Sequence, residues 1–147
     1  MKRLFYLLIT SILILTGCQS QTPKHPLSQE MTLSFFYIET CSQCQIFKDE
    51  AIPYLEDYFG ETLVIHQYNL DDEKSHPLYQ EVIDSLQDFD EEFYGQGPFY
   101  ALDGYFAKVG YIEGDEKELA LDIERALDNE PLSYELESFR YLYKKGE

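Results

Sequence analysis

The 147-residue chain carries 28 Asp and Glu against 11 Lys and Arg, a net charge of −17 at pH 7. A surface this acidic excludes nucleic-acid binding as the default, because phosphate recognition needs clustered cations; beyond the first three residues the only adjacent basic pair is Lys144-Lys145. Three cysteines, Cys18, Cys41 and Cys44, are too few for a disulfide-rich scaffold, and the 13 Tyr and 10 Phe offer material for a substantial core.

Met1-Lys2-Arg3 is a short basic start, Leu4 to Leu15 an almost unbroken apolar run, and Leu15-Thr16-Gly17-Cys18 follows at once. This is the pattern of a signal peptide. The run is shorter than the roughly 20 residues that a membrane-spanning helix needs. Leu15-Thr16-Gly17-Cys18 resembles the lipobox of bacterial lipoproteins, which implies removal of residues 1–17 and diacylation of Cys18 as the new N-terminus. The protein is then expected on the extracytoplasmic side of the cell membrane, lipid-anchored without spanning it. Cleavage removes Lys2 and Arg3 and no acid, so the charge moves from −17 to −19.

Residues 18–30 hold the lipidated cysteine and a flexible linker, since Gln19 to Glu30 is polar and proline-bearing with Leu27 its one large apolar residue. A folded domain is expected over 31–130. Leu33 to Ile38, apolar on both faces, reads as a central strand that stops at the cysteines. From Ser42 to about Phe59, Cys44, Phe47, Ala51, Leu55 and Tyr58 recur at helical spacing, with Pro53 expected to kink the helix and Gly60 to end it. Leu63 to Leu70 reads as a second strand, and Pro77 to about Phe89 as a helix that turns Leu78, Val82, Leu86 and Phe89 inward. Gly95-Gln96-Gly97-Pro98 leads into Phe99–Leu102, the Asp103-Gly104 pair and Tyr105 to Ile112, which predicts a β-hairpin. Asp115 to Asn129 is a last helix with Leu119, Ile123, Ala126 and Leu127 on one face and acids at its start. Residues 131–147 form a C-terminal extension in which Ser133 to Lys145 fits a short helix.

The chemistry concentrates at Cys41-Ser42-Gln43-Cys44, where the first strand gives way to the first helix. A thiol there meets unpaired backbone N–H groups, which favour the thiolate and activate Cys41. Cys44, one helical turn on, is close enough to form a disulfide and is partly shielded.

A strand, C-x-x-C and a helix, followed later by Gly97-Pro98 at the start of a hairpin and by a final helix, resembles the thioredoxin superfamily over about Met31 to Asn129. The resemblance implies an α/β fold, β-α-β-α-β-β-α, with a central mixed sheet of about four strands. It implies a redox-active Cys41–Cys44 disulfide with Cys41 as nucleophile and Cys44 as resolving cysteine. It also implies that Pro98 is the cis-proline facing the disulfide and that Gly97 and Pro98 help bind an extended substrate, with Phe99 and Tyr100 placed to contribute to the groove. Asn69-Leu70-Asp71 looks like the end of the family's next strand.

The chain departs from the family in several places. Glu39-Thr40 stands where a tryptophan precedes the motif, Phe35 and Phe36 occupy the stretch that carries a buried acid in thioredoxins, Ser42-Gln43 replaces Gly-Pro or Pro-His, and Gly97 replaces the usual Thr, Ile or Val. If Glu39 lies near the Cys41 sulfur, its charge opposes the thiolate and favours a reductase or isomerase over an oxidase.

A zinc site would want four ligands, and no second cysteine pair exists for it. A purely structural disulfide is the stronger alternative, but closing so small a loop constrains the unfolded chain little. Lone His66 reads as a strand histidine, and Asp88 to Glu92 as a solvated helix end rather than a calcium loop. The expected protein is a thiol-disulfide oxidoreductase, monomeric, needing no metal or organic cofactor. Its partners are cysteine-containing extracytoplasmic proteins and a redox partner that resets the pair. A noncatalytic thioredoxin-fold accessory lipoprotein, bound to a transport or secretion partner, is the alternative, and a dedicated electron donor to one repair enzyme a third reading.

Overall fold

The computed structural model describes residues 24–145; the expected signal segment, the expected lipidation site Cys18 and residues 19–23 lie outside them. Five strands make one mixed sheet: β1 (Met31–Tyr37), β2 (Leu63–Asn69), β3 (Phe99–Leu102), β4 (Phe106–Val109) and β5 (Arg140–Leu142), in the order β2-β1-β3-β4-β5. Strands β1 and β2 are parallel, with Met31 opposite Leu63 and Tyr37 opposite Asn69. All other pairings are antiparallel.

Strand alternation divides the core into two layers. Leu33, Phe35, Tyr100, Leu102 and Phe106 face a layer that holds the helices α1 (Ser42–Ile46), α2 (Ile52–Phe59) and α4 (Glu116–Leu127). Phe36, Phe99, Ala101, Ala107 and Val109 face α3 (His76–Asp84) on the other side. Strand β1, buried on both faces, is the continuous apolar run that such a central position demands. Fully buried aromatics such as Phe35 and Phe47, stacked with centroids 4.4 Å apart, each stabilise the fold by about 1.5–3 kcal/mol through burial alone.

Pro53 does not break its helix. A π-helical turn, Phe47–Ala51, joins α1 to α2, and the Ile52 N–H reaches back to the Phe47 carbonyl. This wide turn accommodates the missing Pro53 N–H and keeps Phe47, Ala51, Leu55 and Phe59 on one buried face, their four-residue spacing being wider than an α-helix follows. Phe59, rather than the half-buried Tyr58, completes the stripe.

Three expectations about segment ends are corrected. Helix α3 stops at Asp84, not near Phe89: the Ser85 hydroxyl donates to the Glu81 carbonyl, and Leu86 leaves to form a bridge with Tyr143. The C-terminal segment is not helical, and its strand β5 makes the sheet five-stranded rather than four-stranded, carrying it past residue 130. The cause is Asp122 on α4, fully buried, which accepts from the Ser133 N–H at 2.8 Å, the Ser133 hydroxyl at 3.1 Å and Arg140 at 3.0 Å and so draws the tail out along β4. Buried Lys108 adds a bond to the Ser138 carbonyl at 2.9 Å. Finally, residues 24–30 do not behave as free linker. The His25 N–H donates to the Tyr58 carbonyl at 2.8 Å, the Leu27 N–H to the Thr62 hydroxyl at 2.9 Å, and the Leu27 side chain enters the core.

Candidate functional site

Strand β1 ends at Tyr37, and Ile38-Glu39-Thr40 turns the chain, the Cys41 N–H closing on the Ile38 carbonyl at 3.1 Å. Cys41, in extended conformation, caps α1: the Cys44 N–H donates to its sulfur at 3.1 Å and the Gln45 N–H to its carbonyl. The sequence places a sulfur where a serine or aspartate oxygen commonly sits, so one orphan N–H of the helix start points at the reactive atom. The two cysteines are joined in a disulfide with Cα atoms 5.2 Å apart. Their surroundings differ: Cys41 is partly exposed, Cys44 only 1 % exposed and part of the core. Ser42 and Gln43 point to solvent.

The opposite wall comes from the segment before β3. The Gly97-Pro98 peptide bond is cis. The Gly97 carbonyl lies 3.4 Å from the Cys41 sulfur, within reach of a thiol proton when the pair is reduced. A Cβ at Gly97 would sit 2.8 Å from the Cys44 sulfur, so glycine alone lets this backbone lie against the disulfide. Pro98 is buried, and its carbonyl is held by the Gly110 N–H at 2.8 Å. The structure thus brings together all four residues singled out at the site, Cys41, Cys44, Gly97 and Pro98. Phe99 and Tyr100 are fully buried on opposite faces of the sheet and line no groove, because β3 is central.

Beneath the sulfurs the wall is aromatic, with Phe47 packed on Phe35 and Tyr100. The buried carboxylate Asp122 is committed to Arg125, Ser133 and Arg140 in the tail cluster. The Glu39 carboxylate accepts from Asn69, at the end of β2, at 3.2 Å. Burial, then the negative charge of Glu39, push the Tyr37 hydroxyl up, while the Lys48 ammonium sits 3.1 Å from the centre of its ring.

Sequence reasoning missed the side chain that holds the loop ahead of Gly97. A cleft of about 190 Å³ opens between the turn after β1 and the loop ahead of Gly97, lined by Ile38, Leu70, Asp71, His76, Tyr79, Tyr94 and Gly95. Tyr79, on the buried face of α3, fixes the loop ahead of Gly97 by accepting the Gly95 N–H on its hydroxyl at 2.9 Å. A tyrosine at a helical core position was the available signal, since a buried hydroxyl needs a partner.

No protein-family model matches the chain, and no curated protein matches it. What stands is a small α/β fold with a five-stranded mixed sheet and a C-x-x-C disulfide at the junction of its first strand and first helix.

Among the described residues no group of three or more His, Cys, Asp or Glu is placed to hold a metal ion. His66 is exposed on β2, and the Leu70 carbonyl accepts from the His76 Nε2–H at 2.9 Å. Asp90 spends its carboxylate capping the short 3-10 turn Glu91–Phe93. No helix among the described residues is long and apolar enough to cross a membrane.

Proposed function

We propose that the chain is a thioredoxin-like, membrane-tethered thiol-disulfide oxidoreductase acting outside the cytoplasm, with Cys41 as nucleophile and Cys44 as resolving cysteine. The observation that carries this reading is the unequal exposure of a bonded cysteine pair: Cys41 is reachable and receives a helix N–H, while Cys44 is buried behind it. The sheet order and the close approach of Gly97 to the sulfurs support the thioredoxin-like assignment.

In the reducing direction the Cys41 thiolate attacks one sulfur of a substrate disulfide, and the other substrate sulfur leaves as a thiolate that takes a proton from water. Cys44, once deprotonated, attacks the Cys41 sulfur of the mixed disulfide, expelling the second substrate sulfur and closing the Cys41–Cys44 bond. Two electrons pass to the substrate, and an external dithiol donor resets the pair. Gly97 and Pro98 form the floor on which an extended substrate segment lies.

Reduction or isomerisation is favoured over oxidation. One helix N–H makes Cys41 reactive, while the negative charge of the chain, −19 once residues 1–17 are lost, opposes further stabilisation of its thiolate, and a reduced form stabilised only moderately makes a weak oxidant. The lipobox-like Leu15-Thr16-Gly17-Cys18 supports anchoring through Cys18.

The test is trapping. In a Cys44→Ser variant, Cys41 should accumulate mixed disulfides with cysteine-containing extracytoplasmic proteins, released by dithiothreitol, and should alkylate rapidly when reduced. A Cys41 that neither alkylates nor traps would leave the fold as a binding module.

A further inference from the structure

The contacts of residues 24–30 gather at one pole of the domain. Lys24 pairs with Asp57. The His25 N–H donates to the Tyr58 carbonyl at 2.8 Å, and its ring stacks on Tyr58 with centroids 4.3 Å apart, its Nδ1 3.6 Å from Glu124. Leu27 is buried, and Gln29 reaches the Tyr105 hydroxyl at 3.4 Å. Tyr58 lies in the last turn of α2, Thr62 in the 3-10 turn that leads from it into β2, Tyr105 sits in the β3–β4 turn, and Met31 begins β1, so all of these mark the edge of the sheet at which β1 starts.

Cys41 is at the opposite edge. Two rulers give the separation: the seven residues of β1 span roughly 23 Å at about 3.3 Å each, and the helical run from Ser42 to Phe59 spans roughly 27 Å at about 1.5 Å per residue. Five residues, Gln19 to Pro23, separate Cys18 from Lys24, and even fully extended they bridge at most about 20 Å.

We infer that the docked segment Lys24–Glu30 orients the domain on its anchor. The membrane holds it by the pole where β1 starts, and the Cys41–Cys44 pair is displayed at the far pole, roughly 25–45 Å from the anchoring surface. The inference rests on the proposed lipidation of Cys18. Glu56, Glu61, Asp128 and Glu130 are exposed in the segments that flank the docked pole, and their charge opposes its lying flat on anionic headgroups. The partner this arrangement fits is a disulfide on the water-exposed part of an extracytoplasmic protein, held well clear of the bilayer interface, rather than a thiol carrier embedded in the membrane.

The experiment uses the full lipid-modified chain reconstituted into phosphatidylcholine vesicles with an acceptor fluorophore on a headgroup. A donor is placed either on Cys41 of a Cys44→Ser variant or on Glu61→Cys in a chain with Cys41→Ser and Cys44→Ser. For an offset of roughly 25 Å, energy transfer from position 61 should exceed that from position 41 by about twofold or more. Equal transfer from both positions, or more from position 41, overturns the inference. Leu27→Asp should free the segment and erase the difference without slowing alkylation of Cys41; a difference that survives it removes the docked segment from the explanation. The anchor itself is checked first: the mass of the purified membrane form should correspond to a chain that begins at Cys18 and carries a diacylglyceryl group there, and a Cys18 without acyl mass refutes the lipidation, and the orientation with it, before any fluorescence is read.

Discussion

Gly97→Ala is the most informative single substitution at the site. Its Cβ would lie 2.8 Å from the Cys44 sulfur, against an ordinary contact of about 3.5–4.0 Å, so something must move by roughly 1 Å. In the oxidised protein the sulfur is pinned by its bond to Cys41 and the other side is backbone. In the reduced protein the Cys44 thiol ends a side chain with one free torsion and turns aside. The clash therefore falls mainly on the disulfide form. Overpacking of this kind costs about 1–3 kcal/mol. At about 30 mV for each 1.4 kcal/mol, the pair should become more oxidising by about 20–65 mV. The assay is titration of parent and variant against glutathione with alkylation readout, alongside urea melts of both redox forms, in which the oxidised variant alone should lose stability. An unchanged potential, or equal destabilisation of the two forms, would refute the contact argument.

Other substitutions probe the scaffold. Asp122→Ala leaves Arg140, whose side chain is 11 % exposed, without its carboxylate, and should cost about 3–5 kcal/mol in a urea melt; a loss below about 1 kcal/mol would mean that the tail is held by other contacts. Burial pushes the Asp103 carboxyl above its usual value, against the hydrogen bond from Ser34 and the nearby charge of His66. A raised folded-state pKa means that this group favours folding below about pH 4 and that the benefit is lost as pH rises through the raised value. Asp103→Asn should accordingly stabilise the protein at pH 7 and lose that advantage at pH 3.5, and a gain that is constant with pH would contradict the assignment. Tyr79→Phe removes the hydroxyl that holds Gly95 and should cost about 1 kcal/mol while slowing substrate reduction with little change in potential; a shifted potential at unchanged rate would place its effect on the sulfurs instead of the loop.

The legible parts of this fold are those governed by local pattern. Leu33 to Ile38 is apolar on both faces because β1 is covered on both, and the hairpin around Asp103-Gly104 follows from turn chemistry between two apolar runs. The cysteine pair was legible for the same reason: a strand signal ends and a helix signal begins at Cys41. What failed depended on contacts between distant segments. The spacing of Leu136, Phe139 and Leu142 mimics a helix face, yet Leu136 enters the core while Phe139 and Leu142 are half-exposed, because Asp122 pulls the tail straight. Gln19 to Glu30 has a linker's composition, and the docking of its residues 24–30 depends on Leu27 and His25 meeting Thr62 and Tyr58. Glu39 lies beside the motif in sequence, but the end of β2 supplies Asn69 and turns its carboxylate there. The reason for glycine at position 97 is visible only once it meets Cys44.

The central claim is that Cys41 and Cys44 form a working redox couple, and the equilibrium reduction potential of the pair tests it most directly. Titration of the protein against dithiothreitol and glutathione, with alkylation of Cys41 as readout, should give a reversible two-electron transition nearer to roughly −270 mV than to roughly −120 mV. A reversible value near −120 mV would reverse the proposed direction of electron flow, and a pair that does not titrate reversibly would contradict the account altogether.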